Sequence, residues 1–259
     1  MNETVIFLGN RPLLLAFICA ATGYLIGSVS FARIIHYIVT RKKDIEPFSE
    51  PVPHSDEQFE SDLVSATLVT KKIGAKYGCM TSIADMLKVA VPTLIARFLF
   101  LSGPFYLIVA LFGVIGHNLP VYYNFRGGRG ESPILGILLV INWFGLIIVN
   151  ITSIILGFIT GSVLVLRWSG YVLMIFWLWY YFRDYRFAIF MIFINFFFWF
   201  SMRKDLARFI ELKKKKGISF TEEDVSEFIV MGRGLGRALD RYSLWAVLKR
   251  AFGKHRNSA

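Results

Sequence analysis

The sequence predicts an all-α, polytopic membrane helical bundle of about seven transmembrane helices, N-terminus outside and C-terminus cytoplasmic. Three observations predict it. Of the 259 residues, 55% are hydrophobic and 16% aromatic. That exceeds the roughly 45–50% apolar share of soluble domains, and the excess lies in long blocks. The net charge of +11 gathers between and after those blocks. This points to anionic headgroups or phosphorylated substrates, and not to nucleic acid, for which no reading domain is visible. Finally, Phe125-Arg126-Gly127-Gly128-Arg129-Gly130 sets two arginines among three glycines between apolar runs. Glycine lets backbone N–H groups converge on an anion, and arginine adds a planar fork for phosphate oxygens. A positive-inside loop with a plain glycine turn is the competing reading.

The first apolar run, Pro12 to about Val39, is too long for a signal-peptide core and reads as an uncleaved span. Gly23 and Gly27 form a small-xxx-small pair that admits a neighbouring helix, and Ser28 and Ser30 read as packing hydroxyls. Residues 41–80 form a cytoplasmic loop. It has a basic start, an irregular middle with Pro47, Pro51 and Pro53, and a helix near Ser65–Lys72. A second span runs from about Thr81 to Leu101, with Asp85 and Lys88 on one face as an ion pair favoured for packing. After a turn at Ser102-Gly103-Pro104, a third span reaches about Val121 and carries His117 near its end.

Past the glycine loop, Glu131-Ser132-Pro133 opens a helix. The apolar run then continues to Leu166, enough for two short helices broken at Asn142-Trp143. The first is too short to cross unless the loop lies at or below headgroup level, buried in protein or lining a wet cavity. Arg167 to Gly170 reads as a turn, a sixth span ends near Phe182, and a seventh near Met202. One side then receives Arg41, Lys71, Arg126, Arg129, Arg167 and the tail, the other Arg97, Arg183 and Arg186, so the first side is cytoplasmic. This divides the chain into a membrane domain, 1–202, and a basic tail, 203–259. In the tail Thr221 starts a helix, the glycines at 232–236 read as a hinge, and Leu239, Tyr242, Trp245, Leu248 and Phe252 make an amphipathic interfacial helix. The four histidines and two cysteines are scattered, so neither metal nor cofactor is expected.

These residues resemble the bacterial acyl-phosphate-dependent glycerol-3-phosphate acyltransferases, seven-span enzymes that make lysophosphatidic acid. Gly23 to Phe31 is similar to the family's first helix. Ser65-Ala66-Thr67, Lys71, Gly74 and Gly78 keep the spacing of its first loop motif, and Asp85 with Lys88 matches its Asp-x-x-Lys. Gly116-His117-x-x-Pro120 through Gly130 matches its glycine-loop motif with both lysines replaced by arginine, and Arg203 and Arg208 match its tail motif. The resemblance covers about 13–214. Departures fall around Ser61, at Leu68, at Asp205 where the family has asparagine, and after the loop at Glu131-Ser132-Pro133.

The resemblance implies transfer of a fatty acyl group from acyl phosphate to glycerol 3-phosphate at the cytoplasmic face of the inner membrane. It also implies substrate phosphates held by Ser61, Lys71, Arg126, Gly127, Gly128, Arg129, Gly130, Arg167, Arg203 and Arg208. The proton acceptor stays open among His117, Glu131 and a substrate phosphate. A non-catalytic homologue binding anionic lipid or a partner, or an enzyme with another acceptor, is the alternative. The changes around Ser61 favour it, and the intact loop favours the enzyme.

Overall fold

The computed structural model describes residues 11–52, 55–100, 103–215, 219–230 and 233–253. Pro53, Ser102 and Gly232 lie outside the described residues, as does the side chain of Phe252. Helices α1 (Pro12–Gly27) and α2 (Phe31–Thr40) lead into a hairpin, β1 (Phe48–Pro51) and β2 (Gln58–Ser61), followed by α3 (Ala66–Ile73). The bundle continues with α4 (Ala75–Leu99), α5 (Phe105–Asn118), α6 (Glu131–Thr160), α7 (Val163–Phe182) and α8 (Tyr185–Lys215). The tail adds α9 (Glu222–Val225), α10 (Arg233–Tyr242) and α11 (Leu244–Gly253).

By length and composition, six helical segments among the described residues can cross a membrane. The expected first span is broken at Ser28–Ser30, because Ser30 caps α2 by accepting from the Arg33 N–H and the Lys88 ammonium takes the Val29 carbonyl at 2.5 Å. Ser30 is therefore a cap residue, whereas the buried Ser28 is a packing hydroxyl as expected, its Oγ donating to the Tyr24 carbonyl and accepting the Val121 N–H at 3.4 Å. The glycine pair behaves as expected. A Cβ at Gly23 would strike the Val109 carbonyl and one at Gly27 the Gly113 carbonyl, so α1 and α5 touch backbone to backbone.

The expected break in the apolar run is present: Asn142 leaves the helix at φ −157°, ψ 84°, and its Oδ1 accepts the Gly145 N–H at 2.6 Å. The neighbours of α6 show the chain doubling back there. Glu131 and Gly157 both meet the start of α7, at Arg167 and Leu166, whereas Gly145 lies against Trp177 further along. The second turn falls at Gly161–Ser162, where Gly161 is left-handed at φ 67°, so Arg167 to Gly170 lie within α7 and form no turn.

The first loop is more regular than its prolines suggest. Its strands pair antiparallel, Phe48 opposite Ser61, over a buried Phe59. Ser65 caps α3, with its side chain accepting from the Leu68 N–H. The seventh span runs on as α8 to Lys215, so the division at Met202 falls inside a helix. The tail helix starts where expected, at a Thr221–Asp224 capping box. It then breaks at Ser243 into α10 and α11, and Leu239 faces inward while Tyr242 and Trp245 face outward. Gly236 lies inside α10 against the Glu222–Glu223 backbone, so close packing and not a hinge accounts for it.

Candidate functional site

Four segments converge on one end of the bundle: the end of α5, the glycine loop, the end of β2 and the middle of α8. Their polar side chains line a cavity of about 340 Å³. Arg126, Arg203, Lys204 and Arg208 supply positive charge, the Gly127 backbone forms part of the wall, and Glu60, Asp62 and Asp205 supply carboxylates. Arg97, Tyr106, Asp184 and Arg186 gather around a separate pocket at the far end, beyond the start of α5.

The loop is shaped by contact with the end of α5. Phe125 turns in the left-handed region at φ 59°, with its N–H on the Pro120 carbonyl. A Cβ at Gly127 would meet the His117 and Asn118 carbonyls, and one at Gly128 would meet His117 Nε2. The Gly128 N–H donates to the His117 carbonyl, so it is not part of an anion nest. The Gly127 carbonyl receives the Val64 N–H at 3.0 Å, which ties the loop to the segment after β2. Arg33 of α2 adds a clamp that the sequence did not flag. It donates to the Arg126 carbonyl at 3.0 Å and lies over the Tyr123 ring.

The two loop arginines have different surroundings. Arg126 is exposed at the cavity, whereas Arg129 is only 5% exposed and pairs with Asp205 at 3.4 Å. Arg129 is therefore buried in protein, and its guanidinium faces a carboxylate and not an open cradle. Burial pushes the guanidinium below the usual arginine range, with Asp205 and Glu131 pulling it back up. Ser61 donates to the same Asp205 carboxylate at 3.0 Å, and Ser201 donates to the Arg129 carbonyl at 3.1 Å.

A smaller cleft of about 40 Å³ lies on the other side of Arg129, lined by Ser65, Thr67, Asp85, His117, Gly130 and Glu131. Asp85 and Lys88 form the expected pair at 2.8 Å, and the Lys88 ammonium also reaches His117 Nδ1 at 3.0 Å. An ammonium only donates, so Nδ1 accepts and the ring proton stands on Nε2. His117 is thus arranged as a donor at Nε2, one of the three candidates among which the proton acceptor was left open. Glu131 is equally occupied, bonded to Arg167 at 2.5 Å and to Trp168 Nε1 at 3.2 Å.

Arg203 bends back over Phe200, 3.7 Å from the ring, and Arg208 binds Glu57 at 3.1 Å. Both still line the cavity. Lys71 does not. It pairs with Glu50 at 3.4 Å and Glu227 at 3.3 Å, because α3 turns that face toward the hairpin and tail. Arg167 is held away from the larger cavity by Glu131. Sequence reasoning missed Lys204, Ser201 and Asn118 in the cavity wall, and it took Asp205 only as a lost asparagine. The spacing of Ser201, Lys204, Asp205 and Arg208 on one helix was the available signal.

A family model described as glycerol-3-phosphate acyltransferase matches residues 17–212. Similar proteins include the glycerol-3-phosphate acyltransferase of Anaeromyxobacter sp., 34% identical over 132 residues, 49% of this chain and 59% of that protein. Another, from Legionella pneumophila, is 33% identical over 121 residues, 47% of this chain and 39% of that protein. The chain spans about half the length of the curated relatives it matches. Among solved structures, the integral membrane glycerol 3-phosphate acyltransferase PlsY in its lysophosphatidic acid form is similar in fold, at TM-score 0.61 and 22% identity. That match covers 81% of this chain and 97% of PlsY. The glycerol 3-phosphate form matches at TM-score 0.58 and 22% identity, over 75% and 92% of the two chains.

Proposed function

The chain belongs to the glycerol-3-phosphate acyltransferase family, and from that premise we propose that it moves a fatty acyl group from acyl phosphate to glycerol 3-phosphate. The larger cavity carries this reading. Four cationic side chains from the loop and α8 surround a space sized for small phosphorylated molecules, at the end of a membrane bundle. An acyl phosphate is already activated, so the protein's task is to bring two anions together and neutralise them.

Arg126, Arg203 and Lys204 hold the phosphates of donor and acceptor. Ser61 and Arg129 support the wall through Asp205. The glycerol hydroxyl adds to the acyl carbonyl, the carbonyl carbon–oxygen bond to phosphate breaks, and the departing phosphate takes the hydroxyl proton. His117 Nε2–H stabilises negative charge from the side of the smaller cleft. The helices cross the inner membrane seven times, counting the two arms of α6 separately. The N-terminus is outside, the cavity is cytoplasmic, and the basic tail lies beside anionic lipid at the same face.

One observation favours a second reading, transfer to a different acceptor. Glu60, Asp62 and Asp205 place three carboxylates in the same wall; Arg129 pairs with Asp205 and Lys204 lies 3.8 Å from Asp62, and the exposed Glu60 suits an acceptor carrying a cationic group. Equilibrium binding of radiolabelled glycerol 3-phosphate to the purified protein tests the choice. Saturable binding lost in Arg126→Ala supports the first reading. Binding absent from the wild type, with a hydroxylated amine bound instead, supports the second.

A further inference from the structure

The geometry points to a bilayer-docking surface on the C-terminal extension, selective for anionic lipid, that also braces the hairpin forming one wall of the cavity. It goes beyond the lipid contact proposed above by assigning its residues and its link to the site. The extension lies past the family match, which ends at residue 212.

α10 and α11 meet in a corner at Ser243, which is buried and caps α11 by accepting from the Ala246 N–H at 3.3 Å. Outward from this corner stand Tyr242, Leu244, Trp245, Val247 and Leu248, with Trp245 68% exposed. A contiguous patch of this kind does not face water unpartnered. The corner rests on the turn between α6 and α7, where a Cβ on Gly161 would meet Ser243 Oγ at 3.2 Å and Trp245 Cβ at 3.6 Å.

The arm of α6 entering that turn exposes Ile151, Ile155 and Ile159 along a membrane-crossing helix. The apolar surface of α11 therefore continues the lipid-facing row past the end of the helix. Among the described side chains of α10 and α11, Arg237, Arg241 and Arg250 are basic and exposed, against the acidic Asp240. Apolar surface beside basic residues at that level fits anionic headgroups. A soluble protein partner would not explain the continuity with α6.

The opposite side of the extension grips the site. Gly236 admits the Glu222–Glu223 backbone into contact with α10, so α9 is carried with the corner. Glu222 accepts the Val163 N–H at 2.7 Å and caps α7, where Ser162 makes no side-chain cap. Glu227 pairs with Lys71, and the Phe228 ring lies 5.2 Å from the ring of Phe59 in β2. Strand β2 ends at Ser61, the donor to Asp205, and Glu60 and Asp62 on either side line the cavity. Docking the corner on lipid thus holds the strand that forms one wall.

The test uses the full chain in nanodiscs of phosphatidylcholine, alone or mixed with phosphatidylglycerol, without substrate. Leu248→Cys in a Cys79→Ala background carries an environment-sensitive fluorophore, and hydrogen exchange is followed over residues 48–61. Anionic lipid should shift the emission to the blue and slow exchange in the hairpin several-fold. Arg241→Gln with Trp245→Ala should remove both effects while the transmembrane helices stay protected. Emission typical of water in both lipids overturns the docking surface. A blue shift without change in hairpin exchange overturns the brace. Neither readout depends on acyl transfer, so a failure here is separate from failure of the proposed activity.

Discussion

The Asp205 carboxylate faces the Arg129 guanidinium at 3.4 Å, and both side chains are buried. A charge in that position is tolerated because its partner neutralises it, so removing one partner is costly. Arg129→Ala should destabilise the protein by about 3–5 kcal/mol, whereas adding Asp205→Asn should recover most of the loss. Thermal unfolding in detergent, run as a double-mutant cycle, checks this. A loss in the double variant equal to the sum of the two single losses would show that the pair does not act as a unit.

Asp205→Asn alone has a second consequence. It removes a negative charge from the cavity wall and can keep the Ser61 hydrogen bond. Affinity for glycerol 3-phosphate should rise about tenfold, the equivalent of roughly 1.4 kcal/mol. Titration of the labelled compound into both proteins measures it, and unchanged affinity would place the phosphate elsewhere.

Gly27 packs on the Gly113 carbonyl of α5. Gly27→Ala would push the two helices apart and should cost about 1–3 kcal/mol, as overpacking does. The melting temperature in detergent should fall accordingly. An unchanged value would mean that α1 can slide without loss.

The tail's grip on α7 should depend on pH. Burial pushes the Glu222 carboxyl above the usual glutamate range, against the pull of the Val163 N–H. The folded state therefore favours the protonated form. Its contribution is present in acid and is lost as pH rises from the ordinary glutamate value through the raised one. Hydrogen exchange in 222–228 should accelerate across that window, and Glu222→Gln should flatten the dependence. A wild-type profile as flat as the variant's would contradict it.

Much of the bundle was legible in the sequence because spans are written in apolar length, and the Asn142 break because a polar residue interrupts such a run. The hairpin was not legible: β1 and β2 are four residues each and are held by Phe59 packing on Phe228, far away in sequence. The site was half legible. Arg126, Arg203 and Arg208, singled out in the sequence, line the cavity, whereas Lys71 turned to Glu227 of the tail, a partner no local pattern announces. His117 was placed near the loop, but its engagement by Lys88 depends on how α4 and α5 pack. The tail's division at Ser243 escaped notice because the three- and four-residue spacing runs straight through it.

Turnover tests the cavity's assignment most directly. Purified protein in liposomes receives acyl phosphate and glycerol 3-phosphate, and lysophosphatidic acid and released phosphate are counted together. The expected result is equimolar formation of both, falling at least a hundredfold in Arg126→Ala, about 2.7 kcal/mol of transition-state stabilisation, with the variant still inserted and folded. Full turnover in Arg126→Ala, or folded wild-type protein that makes neither product, would contradict it.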